Sequence, residues 1–201
     1  MNNKYNKIIK ELTDKELLFH LYATQIVLLL ITFVLGILFY DHFSFLNQLK
    51  WNDIRILTIG AMAGLLVVII DIVLMKWLPS SYYHDGGLNE KIFQNRNIFH
   101  IAWITVTVAF SEEMLFRGII QTRFGLIVAS LVFAVIHYRY LFNWFLFINI
   151  VLLSFLIGFI YEWTNNLAVT IVMHFVIDFL LGIHIKYKNF KDNEQEGLIN
   201  E

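Results

Sequence analysis

The strongest constraint on this chain is a succession of apolar runs, each close to the roughly 20 residues that cross a bilayer as a helix. They cover Leu17–Tyr40, Ile56–Leu78, Ile98–Arg123, Phe124–Tyr140, Leu141–Trp163 and Leu167–Ile185. Inside hydrocarbon every backbone N–H and C=O must find its partner within the protein, so runs of this length imply helices. The expected fold is all-α, a polytopic transmembrane helical bundle of about six spans. Only 15% of the residues are charged, against about 25% in soluble domains. No linker-like tract divides the chain, which reads as one domain. A polar N-terminus (1–16) is followed by two transmembrane helices and a surface loop (17–97), a core of about four transmembrane helices (98–185) and a polar, frayed tail (186–201).

The boundaries follow from local signals. A tight turn near Phe124-Gly125 separates the third run from the fourth, and Tyr138-Arg139-Tyr140 separates the fourth from the fifth. Pro79 and Gly86-Gly87 mark the one long internal loop, Pro79–Asn97, whose amphiphilic sequence suits a membrane surface. Gly60 and Gly64 have the spacing that lets helices approach closely. The first apolar run is too long for a signal-peptide core, so an uncleaved anchor is expected. On alternate sides of a six-span layout, 11 Lys and Arg fall on the side of the termini and 4 (Lys50, Arg55, Arg117, Arg123) on the other. That bias predicts cytoplasmic termini in a cell membrane. A net charge of −1 excludes a strongly basic nucleic-acid surface, and the absence of Cys excludes disulfides, thiolate metal sites and a Cys nucleophile.

Against this background the third run carries Ser111-Glu112-Glu113-Met114-Leu115-Phe116-Arg117. Each charge costs on the order of 3 kcal/mol at a helix centre on insertion scales, so something must offset it. Glu113 and Arg117 are four residues apart, about 40° around a helix, and can pair on one face. Glu112 points about 100° away from Glu113 and is left to face a cavity. On the next run His137 follows Phe133 by one turn, and on the last His174 and Asp178 share a face at a spacing of four. Each His alone is more often a packing residue than a functional one. Two His, an Asp and a Glu pair on neighbouring apolar helices are hard to explain by packing.

A buried Glu can take a proton from water and return it to a leaving amine, the acid and base roles of peptide hydrolysis. Imidazoles can assist that transfer, bind a divalent metal or donate to an oxyanion. Two His and a carboxylate would hold a catalytic zinc ion with a position open for water, and would equally serve a metal-free site. No His-Glu-x-x-His, Gly-x-Ser-x-Gly or Gly-x-Gly-Asp is present, which removes the usual zinc-protease helix, the serine elbow and the paired-aspartate membrane protease.

Glu112-Glu113-x-x-x-Arg117, Phe133-x-x-x-His137 and His174-x-x-x-Asp178, in that order over about Ile98–Ile185, resemble the CAAX-protease and bacteriocin-processing intramembrane peptidases, also called the ABI family, which include the type II CAAX prenyl endopeptidases. The resemblance implies a peptidase core over 98–185, with Glu112 as the general base assisted by His137. His174 and Asp178 would stabilise the oxyanion or, with His137, coordinate a metal such as zinc. Glu113 and Arg117 remain the structural ion pair. The last motif position is often Asn in the prenyl endopeptidases and is Asp178 here, which suits orienting a His or binding metal better than donating to an oxyanion. The compact chain is similar to the bacterial branch, whose substrates would be peptides, leaders or membrane-anchored segments in the lipid bilayer.

Asp71 in the second run and His20 and Gln25 in the first are not counted in the site; Asp71 is expected to bond across helices. His84, His100 and His184 are expected near solvated interfaces, and the Trp residues as interfacial anchors. Three other functions fit parts of the pattern. A catalytically silent bacteriocin-immunity or scaffold member of the family would keep the fold, a proton-coupled transporter would use the same buried acids, and a haem protein would use His137 and His174 as axial ligands. The transporter reading lacks the internal repeat and paired broken helices it would favour.

Overall fold

A computed structural model describes residues 9, 11–138, 140 and 143–199, with residues 42, 43 and 189–199 described by their backbone alone. Most of the polar N-terminus, Arg139 and the last two residues of the tail lie outside the described residues. The architecture is an all-α bundle. Helix α1 spans Asp14–Phe39, started by Thr13, whose side chain and that of Glu16 cap each other's backbone N–H groups. A 3-10 stretch, Asp41–Gln48, leads to α2, which opens as a π-helix over Ile56–Ala61 and continues as α-helix over Met62–Trp77. The short surface helix α3 (Leu88–Phe93) precedes α4 (Ile98–Glu113), whose N-cap Asn97 accepts from the N–H of His100. A π-helical segment, Met114–Gln121, joins α4 to α5 (Thr122–Ile136). Helices α6 (Trp144–Thr164) and α7 (Leu167–Ile199) complete the chain, and the expected frayed tail instead carries α7 on to Ile199.

Among the described residues five stretches are long and apolar enough to cross a membrane, the third being Ile98–Ile136. That stretch is a hairpin. Gly125 has φ 85° and ψ 169°, a conformation essentially confined to glycine, and the chain reverses there. Phe116 and Phe133, 17 positions apart in sequence, accordingly meet with ring centroids 4.9 Å apart. The tight turn expected near Phe124-Gly125 is present, but the run after it is not a full span. From Leu126 to Ile136 the return arm rises only about 16 Å, half of a hydrocarbon core of about 30 Å. It therefore brings its C-terminal residue, His137, to the middle of the bundle.

The segments alternate in direction. One end gathers the turn at Gly125, the 3-10 stretch and the α6–α7 corner, where Thr122 bonds Tyr161 and Asn166 bonds the backbone of Lys50 on both sides of its amide. The opposite end gathers the start of α1, the Pro79–Asn97 loop, the start of α6 and the α7 turn at Gly182 that meets Phe93, with Lys91 donating to the Ile9 carbonyl and Asn143 to that of Ser81. Helices α2 and α7 run side by side from the first end, and Gly60 and Gly64 permit this: a Cβ on either would sit 2.5 Å from the Val169 carbonyl oxygen or 2.8 Å from that of Met173. Leu, Ile, Val and Phe side chains cover the outer surface, suited to lipid. Asp71 departs from expectation: among the described residues it has no hydrogen bond or ion pair, and it is half-buried.

Candidate active site

Three helices deliver the site. Helix α4 ends with Glu112 and Glu113, the short arm α5 ends at His137, and α7 contributes His174 and Asp178. A π-helical segment begins immediately after Glu113, a feature that recurs at functional sites because it re-aims side chains within a helix. Side chains reinforce its last turn: the Thr122 hydroxyl donates to the Arg117 oxygen and Tyr40 to that of Ile119, both of which also accept from the Thr122 backbone N–H.

Glu113 is fully buried and Arg117 is 1% exposed. Arg117 Nε lies 3.5 Å from Glu113 Oε2, so the expected pair is present. Arg117 also donates through Nη2 to the carbonyl and hydroxyl oxygens of Ser154 on α6, and its guanidinium lies 4.9 Å from the centre of the Phe133 ring. The other oxygen of Glu113 has a second partner that spacing could not show: Oε1 accepts from His174 Nδ1 at 2.9 Å. Glu113 is thus both half of an ion pair and the group that orients a site histidine.

Glu112 is 8% exposed and turned the other way, as its 100° offset requires. Its Oε2 lies 4.0 Å from His137 Nε2 and 4.0 Å from His174 Nε2. Neither separation is a direct hydrogen bond, and both are spans that one water can bridge. The His137 Nδ1 lies 2.9 Å from the Phe133 carbonyl, which can only accept, so Nδ1 carries the proton and Nε2 faces Glu112. The Phe133 ring also stacks on His137 at 4.4 Å, so the Phe of this motif fixes its His twice. Asp178 Oδ2 is 3.4 Å from His174 Nε2, close enough to orient the ring. All six residues expected from the sequence are brought together; Ser154 and the Phe133 carbonyl are additions that carried no sequence signal.

The expected metal set does not form in this arrangement. Among the described residues no group of three or more His, Asp or Glu is placed to hold a metal ion. The Nε2 of His174 turns to Asp178 and Glu112, and His137 faces Glu112 from across the gap. These donors do not fit zinc through His137, His174 and Asp178, and no chemical step is derived through a metal.

Comparison with known proteins places the constellation inside a family match. The profile of the type II CAAX prenyl endopeptidase Rce1-like family matches residues 94–180, which include every residue of the constellation. The chain is 41% identical over 175 residues to the uncharacterized protein YpbD of Bacillus subtilis (strain 168), covering 86% of this chain and 92% of that protein. It is 28% identical over 120 residues to the UPF0177 protein YxdF of Lactococcus lactis subsp. lactis (strain IL1403), covering 57% of this chain and 66% of that protein. No solved structure matches it. Five apolar spans among the described residues and a profile enclosing all three motifs make this a multi-pass membrane protein of a family that suggests intramembrane protease function, and the chain belongs to the type II CAAX prenyl endopeptidase Rce1-like family.

Proposed function

We propose that this protein is an intramembrane endopeptidase that hydrolyses peptide bonds of membrane-associated or peptide substrates with a water activated by Glu112 and His137, without a metal ion. The observation that carries this reading is the convergence of two imidazole Nε2 atoms, from different helices, at the same 4.0 Å distance from one oxygen of a buried glutamate. A water between Glu112 and His137 loses its proton to the carboxylate as its oxygen attacks the scissile carbonyl carbon. His174, as imidazolium, has Glu112, Glu113 and Asp178 to balance its charge, and its Nε2–H donates to the developing oxyanion. When the C–N bond breaks, Glu112 returns the proton to the departing nitrogen. The products are one new carboxyl and one new amino terminus.

The membrane is a bacterial cytoplasmic membrane in this reading, as the two bacterial relatives suggest, with both termini in the cytoplasm. Arg117 is buried in its ion pair and drops out of the charge comparison, leaving 3 Lys and Arg against 11.

The test is comparative peptidomics of cells carrying wild-type or Glu112→Ala protein, with metal analysis of the purified enzyme. Peptides present with wild type and missing with Glu112→Ala, at equal amounts of inserted protein, are expected, and cleavage by the purified enzyme is expected to survive exhaustive chelation. Identical peptide pools would overturn the peptidase reading. Loss of activity on chelation, restored by zinc, would overturn its metal-free form.

A further inference from the structure

Beneath the site lies an apolar floor of four buried residues, Leu115 among them. Leu28 from α1, Phe116 from the π-helical segment and Phe133 from α5 belong to one buried cluster. One helical turn from each, toward the end of the bundle where α1 begins, stands a polar residue. Helix α4 runs away from that end, so the step from Phe116 goes back to Glu112; α5 runs toward it, so the step from Phe133 goes forward to His137. Helix α1 also runs away from it, and the step back from Leu28 reaches Gln25. Leu115, the fourth buried member of the cluster, steps back to Ser111, so this floor carries Gln25, Ser111, Glu112 and His137 at one level, the last two 4.0 Å apart.

Gln25 is 6% exposed. Its Oε1 accepts from the hydroxyl of Ser111, the neighbour of Glu112 on α4, at 2.6 Å. That bond fixes the carboxamide and leaves its Nε2, which has no partner among the described residues. The Nε2 is not sealed off although the side chain as a whole is largely buried, so its two hydrogens are open to an acceptor that enters beside it. The catalytic constellation itself consists largely of acceptors, with Glu112, Glu113 and Asp178 all carboxylates about His174. A peptide substrate brings main-chain carbonyls that need donors.

We propose that Gln25, on a helix outside the stretch matched by the family profile, is a substrate-binding residue of this site: its Nε2 donates to a main-chain carbonyl of the substrate beside the scissile bond. The inference rests on the peptidase reading above. The contact is made equally in the ground and transition states, so its loss appears in KM and not in kcat.

The experiment compares wild type, Glu112→Gln, Gln25→Leu and Ser111→Ala, first by the Glu112-dependent peptides each produces in cells. The purified proteins are then assayed in detergent on a synthetic peptide spanning the most abundant of those cleavage sites. Gln25→Leu keeps the side chain's bulk and loses the donor; KM is expected to rise about tenfold, the worth of one hydrogen bond, with kcat and thermal unfolding unchanged. Ser111→Ala, which frees the carboxamide without removing it, is expected to raise KM by a smaller factor. If Gln25→Leu leaves KM within twofold of wild type, or lowers only the unfolding temperature, Gln25 is a packing residue and this inference fails while the peptidase reading stands. If wild type and Glu112→Gln produce the same peptides, the peptidase reading fails and this inference with it.

Discussion

Glu113 has one carboxylate oxygen for each of two partners, Arg117 and His174, and its substitution therefore has two consequences. Glu113→Ala leaves Arg117 as a fully buried, uncompensated charge, a loss of about 3–5 kcal/mol, and also releases His174 Nδ1. Folded yield in detergent is expected to drop, and the fraction that folds is expected to be inactive. Arg117→Ala also unbalances the buried pair and should reduce yield as much, but it leaves the Glu113–His174 bond, so kcat per folded molecule should be retained in part. Thermal unfolding and active-site-normalised kinetics of the two variants separate these outcomes; equal residual activity would contradict the second role of Glu113. The spacing of four made the Glu113–Arg117 pair legible in the sequence. The Glu113–His174 bond joins residues 61 apart, and the Gln25–Ser111 bond residues 86 apart. Such contacts depend on how helices pack, which no local pattern carries.

At the scale of elements, apolar length was a good guide to which segments are helices and a poor one to how far each travels. Phe124–Tyr140 is apolar enough to pass for a span, yet Gly125 reverses the chain and the arm stops at the middle of the bundle. A Cβ at Gly125 would meet nothing within 4 Å, so the penalty of Gly125→Ala is purely conformational, about 1–3 kcal/mol for that backbone geometry. Its expected effects are a lower unfolding temperature and impaired catalysis, as His137 is displaced from Glu112. Gly60→Ala acts differently, since its Cβ would lie 2.5 Å from the Val169 carbonyl oxygen and force α2 and α7 apart. A loss of about 1–3 kcal/mol is expected, as for other overpacking. The α6–α7 corner adds a dependence on pH. Arg55, through its guanidinium and its backbone N–H, holds the Asp53 carboxyl below the usual carboxylate range, with Asn166 adding a further bond. A lowered folded pKa contributes stability that is complete above the unfolded value, near 4, and is lost as pH falls from there toward the folded value. The unfolding temperature is therefore expected to fall below about pH 4, and Asp53→Asn should lower it at pH 7 while flattening that acid limb. An acid limb identical in wild type and Asp53→Asn would remove the clasp from the explanation.

For the molecule as a whole, alternating helices put the start of α1 and the Pro79–Asn97 loop at one end and the Gly125 turn at the other. The chain contains no Cys, so single cysteines report orientation without background. In intact cells an impermeant maleimide is expected to label Asn47→Cys, while Glu90→Cys reacts only after lysis; both positions are exposed, at opposite ends. The reverse pattern would invert the orientation inferred from the charge bias. The central claim, that Glu112 activates water for peptide hydrolysis, is tested most directly with purified protein and a synthetic peptide taken from a Glu112-dependent cleavage site, followed by mass spectrometry. Wild type is expected to yield two fragments whose masses sum to the peptide plus one water, and Glu112→Gln, equally folded, to yield none. Equal cleavage by Glu112→Gln would contradict it.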